Sequence, residues 1–491
     1  MSALARSAAR VPSYGCRAWK RSVPALVKPT PNGAPTTASG VDPIHFSASW
    51  SEEQIRNASE GHALLTWSPS KAVESMPVMV RGDGIYLYDT TGKEWMDWTS
   101  QAVCTNVGQT VSPRVKEAIN AQMDKYSFVY GGLALTEPRA RLSKLMSELM
   151  PTGLSGFVFP SSGSEANEAA IAMARRFTGK TKILTWYRSY HGGTSASSSA
   201  TGDYRRLMAV EAPGFVKVWN PQPQFWEFGG SSEEERTASS LLMLEEQILN
   251  EGPHDIASLM FESVPGSAGV MKLPPGYMQG VRALCDKYEI LLHMDEVMVG
   301  FGRTGKMWGF QHYEGVVPDI VTAAKGLTGS IMPLSMTAVS DDMKAFFHDN
   351  ALGWGSTFQA HPTALACGYA NMLDMLEQDT IGHVERLAPV FEQHVKELAR
   401  HPCVKQYRST GLFGCLDVQT VGGEQPQFTH QPKTSASLAY AKAAADQGLL
   451  TFFRPPVIHI APPLIITEGE LEKGFAKQHA ALDALDEALG F

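Results

Sequence analysis

The sequence predicts an α/β protein built on a mostly parallel sheet with crossover helices, followed by a smaller α+β region. Three observations carry this prediction. From residue 115 onward, short apolar runs alternate with stretches of helical periodicity. The chain has 491 residues, enough for two or three domains. Hydrophobic residues make up 43% and charged residues 19%, the balance of a compact globule.

The elements follow in chain order. Residues 1–41 hold Arg6, Arg10, Arg17, Lys20, Arg21 and Lys28 and no acid, interspersed with Ser, Ala and Thr. This is the composition of an organellar transit peptide, so residues 1–45 are read as leader and linker, directed to the mitochondrial matrix ahead of a plastid, with an uncleaved cytoplasmic tail as the alternative. Gly84–Asp89 and Glu94–Trp98 flank Thr91-Gly92-Lys93 and predict a hairpin. Short apolar runs at 156–159, 181–186, 258–261, 290–294, 319–322 and 335–339 predict strands, with helices over 166–177 and 275–288 between them. A helix over 381–400, a strand over 411–416 and a helix from Glu468 predict the smaller region.

Several classes are excluded. The two longest apolar stretches are interrupted by Lys325 and by Arg454 with four prolines, so no transmembrane helix is expected. Residues 42–491 carry 36 basic and 50 acidic residues, a balance that argues against nucleic acid as a partner. Six scattered cysteines form no C-x-x-C pair, which argues against disulfides and structural zinc and for a reducing compartment.

The chemistry gathers where such sheets bind ligands, at the carboxyl ends of strands. Ser161-Ser-Gly-Ser-Glu-Ala-Asn167 follows an apolar run and opens an alanine-rich helix, with Ser162 and Glu165 at capping-box spacing. The first-turn amides there suit a phosphate, although a helix capped without ligand reads the same way. Ile290-Leu-Leu-His-Met-Asp295-Glu296 ends an apolar strand on two acids, and Asp295 could hold a protonated ring nitrogen. His293, Asp295 and Glu296 are a poor metal set, because Glu296 falls on the opposite strand face, and no metal is expected. Gly300-Phe-Gly-Arg-Thr-Gly305 matches a dinucleotide fingerprint but opens no long amphipathic helix. Lys325 sits in Ile320–Leu327, an apolar run that should depress its pKa. A desolvated amine, a strand-end carboxylate and an anion cradle are what pyridoxal 5'-phosphate requires.

On Ser162-Gly-Ser-Glu-Ala-Asn-Glu168, Tyr190-His-Gly192, Asp295–Gly305, Ala324-Lys-Gly-Leu327 and Gly355-Ser-Thr-Phe-Gln359, the chain resembles the class III pyridoxal-phosphate aminotransferases from about residue 60 to about 480. The resemblance implies fold type I: a large cofactor-binding domain over 106–375 with a mostly parallel seven-stranded sheet, and a small domain from 46–105 and 376–491. It implies a homodimer with two shared active sites. It implies that Lys325 forms the Schiff base, Asp295 bonds the pyridine nitrogen, Gly163 and Ser164 hold the phosphate, Tyr190 and Val297 cover the two ring faces, and Thr357 reaches the neighbouring subunit's phosphate. Glu262 is implied as a supporting group behind these.

Substrate residues follow by the same route. Arg408, in Arg408-Ser-Thr-Gly-Leu412, stands where relatives clamp a carboxylate, but Ser267 stands where their covering glutamate would be. Arg454 is a second candidate arginine, and Trp67 a candidate for the amine pocket, with a core tryptophan as its alternative. The expected activity is a ping-pong transamination from an ω-amino acid or primary amine to a 2-oxo acid, pyruvate ahead of 2-oxoglutarate. The alternatives are an aminomutase, decarboxylase or phospholyase on the same cofactor, or an NAD-dependent oxidoreductase using Gly300–Gly305.

Overall fold

The computed structural model describes residues 49–221, 229–423, 435–451, 453–454 and 456–491; the expected leader lies outside the described residues. The chain divides into two compact units, Met1–Val78 and Met79–Phe491. In the first, Ser51 and Gln54 form a reciprocal capping box that starts a helix over Glu52–His62. Trp67 belongs to this unit and is more than half exposed.

The second unit opens with β1 (Met79–Asp83), β2 (Tyr86–Asp89) and β3 (Glu94–Asp97), an antiparallel meander that contains the expected hairpin. Asp89 holds its turn by accepting from the Thr91 and Lys93 amides and from the Trp95 indole. The central sheet has seven strands: β4 (Leu154–Val158), β5 (Lys182–Trp186), β6 (Phe215–Val218), β7 (Ile256–Glu262), β8 (Leu291–Asp295), β9 (Ile320–Ala323) and β10 (Met336–Ser340). Their order is β4-β10-β9-β8-β7-β5-β6. Every pairing is parallel except those of β10, which runs against both neighbours. β7 is buried at all seven positions, as a strand covered on both faces must be. β6 is an element the sequence reading omitted. Its four residues include Lys217, so it shows no continuous apolar run.

The C-terminal part contains β11 (Val404–Thr410), β12 (Phe413–Val418), β13 (Leu449–Leu450), β14 (Phe453–Arg454) and β15 (Val457–Ile460). Four of these form the sheet β11-β12-β15-β14, while β13 joins β3 in parallel. The strand expected over 411–416 begins at Phe413 instead. Gly411 turns the chain at φ +58°, and a Cβ there would run into the backbone of Thr304. Helices over Thr380–Leu398, Ser435–Asp446 and Glu468–Leu489 complete this part; the first and last match the expectation, and the middle one is a further element the sequence reading omitted. Among the described residues, no helix is long and apolar enough to cross a membrane.

The main core runs beneath the central sheet, where Trp186 of β5 stacks on Phe261 of β7 with ring centroids 3.9 Å apart and planes within 6°. Both side chains are fully buried. Phe261→Ala should cost about 3–5 kcal/mol, read as an earlier midpoint in chemical denaturation of the cofactor-free protein.

Candidate active site

Because β4, β5, β7, β8 and β9 all run in one direction, their carboxyl ends open on one edge of the sheet. The register there puts Glu262 of β7 beside Asp295 of β8, and Asp295 beside Thr322 of β9, with Lys325 three residues beyond. Residues 261–325 thereby bring three ionisable groups to adjacent strand ends.

Asp295 is almost fully buried and accepts three hydrogen bonds: from His191 Nδ1 at 2.7 Å, Asn167 Nδ2 at 2.9 Å and the Val297 amide at 2.9 Å. Burial pushes its pKa upward, but these donors and the His191 imidazole outweigh that and hold it below the ordinary aspartate value. Asn167 also donates to the His191 carbonyl and accepts from Thr322 Oγ1 at 2.7 Å. His293 bonds Thr322 Oγ1 at 3.0 Å, and burial drops its pKa to about 3, so it stays neutral. Glu296 faces away from Asp295 and accepts from the Gly309 and Phe310 amides. The three residues weighed as a metal set thus spend themselves on separate partners.

Lys325 begins where β9 ends. Its φ of +37° lies in the left-handed region, an uncommon conformation for a residue with a side chain. The turn that follows is pinned by Asn371 Nδ2, which donates to the Gly326 and Leu327 carbonyls at 3.1 Å. Burial lowers the pKa of the Lys325 amine, against the raising influence of Cys104, Asp295 and Glu262. A cavity of 290 Å³ is lined by Ser161, Ser162, Gly163, Lys325 and Thr328 among others.

The helix over Gly163–Thr178 starts at this cavity, with Ser162 Oγ accepting from the Glu165 amide at 3.2 Å. The expected capping box is only half formed, because the Glu165 carboxylate bonds the Ser161 amide rather than that of Ser162. The Gly163 and Ser164 amides belong to the helix's first turn, outside its ladder. A Cβ on Gly163 would meet Val297 at 2.7 Å, so only glycine lets the helix start approach that side chain. Ser164 Oγ accepts from the Gly193 amide at 3.1 Å.

Tyr190 carries the Arg205 guanidinium 3.5 Å from its ring centre on one face. Its amide donates to Glu262 Oε1 at 2.9 Å, while Glu262 Oε2 accepts from Gly266. Thr357 lies apart from these residues' hydrogen-bond network and is exposed on the surface.

The two arginines differ from the sequence expectation. Arg408 is not an open clamp. Its guanidinium makes a bidentate pair with Asp417, at 2.6 and 2.8 Å, and donates through Nε to the Gly269 carbonyl at 2.7 Å. Arg454, on β14, is the arginine whose field acts on both Tyr190 and Lys325, and burial lowers its own pKa. Ser267 is buried, and its hydroxyl finds no partner among the described residues. The Gly300–Gly305 segment is a succession of turns followed only by a four-residue 3₁₀ helix over Gly309–His312, and its Arg303 is a buried tie between Ser100, Asn106, Leu412 and Pro462. It lacks the helix a dinucleotide's pyrophosphate needs.

Sequence reasoning missed Asn167, Thr322 and the direct role of His191. The signal available was a buried polar residue inside the apolar face of an alanine-rich helix, which demands a partner.

The donors around Asp295, the glycine seat at Gly163 and the buried amine of Lys325 fit pyridoxal phosphate: an acid for a ring nitrogen, first-turn amides for a phosphate and an amine for an aldehyde. This is the site of a fold type I pyridoxal-phosphate enzyme. The class-III aminotransferase family model matches residues 68–482, and the chain belongs to that family of pyridoxal-phosphate-dependent transaminases. It is 30% identical to gamma-aminobutyrate transaminase 1, mitochondrial, of Oryza sativa subsp. indica over 90% of this chain and 89% of that one. It is 30% identical to diaminobutyrate–2-oxoglutarate transaminase of Halomonas elongata over 84% and 91%. The fold is similar to taurine:2-oxoglutarate aminotransferase from Bifidobacterium kashiwanohense in complex with PLP and glutamate, with a TM-score of 0.84, 36% identity and coverage of 90% and 100%.

Burial raises the pKa of the Glu262 carboxyl from 4.5 to about 7. A carboxyl held protonated by the fold contributes stability that is complete below its ordinary pKa and is lost as the pH climbs through the raised one. The cofactor-free protein should therefore lose stability from about pH 4.5 to about pH 7. Glu262→Gln should flatten that slope in denaturation midpoints measured across the range.

Proposed function

We propose that the amino donor is an ω-amino acid or primary amine and that the acceptor is a small 2-oxo acid, with pyruvate ahead of 2-oxoglutarate. The observation that carries this reading is the Arg408–Asp417 pair. A bidentate, buried ion pair already occupies the fork that would bind a second carboxylate, and no glutamate stands at 267 to gate it. A longer dicarboxylic acceptor would leave that group without a partner, whereas a single carboxylate can be read by Arg454.

Pyridoxal phosphate, when bound, would supply an electron sink for the substrate's amine-bearing carbon and a carrier for its amino group. Lys325, whose charged form is disfavoured by burial, would carry the proton to and from that carbon. Asp295 would hold the pyridine nitrogen protonated, and the donors His191, Asn167 and Val297 N keep its carboxylate ionised for that task. Gly163 and Ser164 amides would hold the phosphate and Tyr190 and Val297 would enclose the ring, while Glu262 anchors the Tyr190 backbone. Two substrates using one site in turn give ping-pong kinetics.

A homodimer is proposed on the same grounds. Thr357 is flanked by exposed Phe358, which packs edge-on to Phe128 with centroids 6.0 Å apart, and Leu133 and Leu135 are almost wholly exposed nearby in sequence to Phe128. Apolar side chains so exposed mark a surface that another chain covers. Residues 1–45 are proposed to carry the chain to the mitochondrial matrix, which import of a fusion to a reporter would test.

Two substitutions test the assignment. Lys325→Ala should cut turnover by about 10²–10⁴-fold, and borohydride should link the cofactor to the Lys325 peptide of the wild-type holoenzyme. Recovery of near-normal rates in the variant would overturn the role. Arg454→Gln should raise KM about 10-fold or more for pyruvate and for carboxylate-bearing donors, yet leave a donor without a carboxylate nearly unchanged. An equal loss for both donor types would remove Arg454 from substrate recognition.

A further inference from the structure

Away from the sheet edge, the turn entering β11 meets the C-terminal helix at a cluster of chemically matched side chains. His401 Nδ1 lies 2.8 Å from Asp486 Oδ2 and 3.6 Å from Asp483 Oδ1. One donor atom from each of the three residues falls within 4.8 Å of the others. On its other edge, His401 Nε2 lies 2.8 Å from His479 Nδ1, and the second Asp486 oxygen accepts from the Cys403 amide at 2.8 Å. Asp483 and Asp486 share one face of the helix with His479, at spacings of three and four residues, and His401 arrives from a separate element.

We propose that His401, Asp483 and Asp486 bind a divalent transition metal, zinc by chemistry, that ties the C-terminal helix to the start of β11. The argument has three parts. One imidazole nitrogen and two carboxylate oxygens with a solvent-facing fourth position form a zinc donor set. Ligand oxygens and nitrogens sit about 2.0–2.2 Å from zinc, hence roughly 3.4 Å from one another in a tetrahedral set, so the His401–Asp486 contact would open from 2.8 Å as the metal replaces its hydrogen bond, while the three-quarters exposed Asp483 side chain has room to adjust. The supporting contacts are those a ligand needs: with the metal on Nδ1, His401 Nε2–H would donate to His479 Nδ1, 2.8 Å away, and the Cys403 amide fixes the Asp486 carboxylate. The sequence carried no expectation of a metal, because its cysteines lack zinc spacing and His293, Asp295 and Glu296 make a poor ligand set. This site uses none of them and joins residues about eighty positions apart.

The test uses the holoenzyme, stripped with a chelator, desalted and titrated with zinc chloride by calorimetry. Wild type should bind one zinc per chain, and its melting temperature should rise. Asp486→Asn and His401→Gln should weaken binding at least about 10-fold. Asp483→Asn, at an exposed position, should keep the metal-free melting temperature and still lose at least about 10-fold in affinity, so the outcome does not depend on the buried variants folding. Cobalt(II) should give visible absorption that the same variants abolish. Absence of saturable binding in wild type, or equal affinity in Asp483→Asn and wild type, would show that the cluster is an ion pair and overturn the proposal.

Discussion

The structure turns on a carboxylate that ought not to be charged where it is. Asp295 is buried at the end of a buried strand, a setting that drives an acid toward its neutral form. Three donors from three separate segments reverse that tendency: His191 from the turn after β5, Asn167 from the helix after β4 and the Val297 amide from its own turn. The carboxylate therefore stays ionised only while β4, β5 and β8 keep their places. Its charge is a property of the assembled sheet, and it is the charge a pyridinium nitrogen needs.

The surrounding groups are arranged around the same constraint. Thr322 links Asn167 to β9, so the strand that leads to Lys325 is bonded to the network that holds Asp295. Glu262, one strand over, spends its carboxyl on the Tyr190 and Gly266 amides and fixes the turn that carries His191. Asn371 holds the far side of the Lys325 turn. The acid and the amine are thus each held by backbone and side-chain bonds to elements that move only if the sheet moves, which is what preorganisation of a cofactor site means physically.

Electrostatics also sorts the two arginines. Desolvating a guanidinium is costly unless a carboxylate compensates it. Arg408 meets that condition inside the protein, through Asp417 on the neighbouring strand. Arg454 instead shares its environment with Arg205, a like charge that works against its protonation. The contrast is between an arginine compensated by a carboxylate on the neighbouring strand and one set beside a like charge, and it underlies the recognition role proposed for Arg454.

Much of this was legible in the sequence. Short apolar runs such as 258–261 announce strands buried on both faces, and Lys325 in an apolar run and Asp295 at a strand end announce their own chemistry by the cost of burying them. The helix start at Gly163 and the hairpin at 84–98 follow from local residue types, since caps and turns are satisfied within a few positions. What the sequence could not decide is what depends on which strands become neighbours. The reversed direction of β10, the short strand β6 and the partners of Asp295 are set by pairings between distant segments, and a run of apolar residues carries no sign of its direction or its partner. Arg408 shows the boundary most sharply. Its residue type promised a carboxylate partner, but only the β11–β12 register, which sets Arg408 opposite Cys415 and brings Asp417 diagonally within reach, made that carboxylate an internal one.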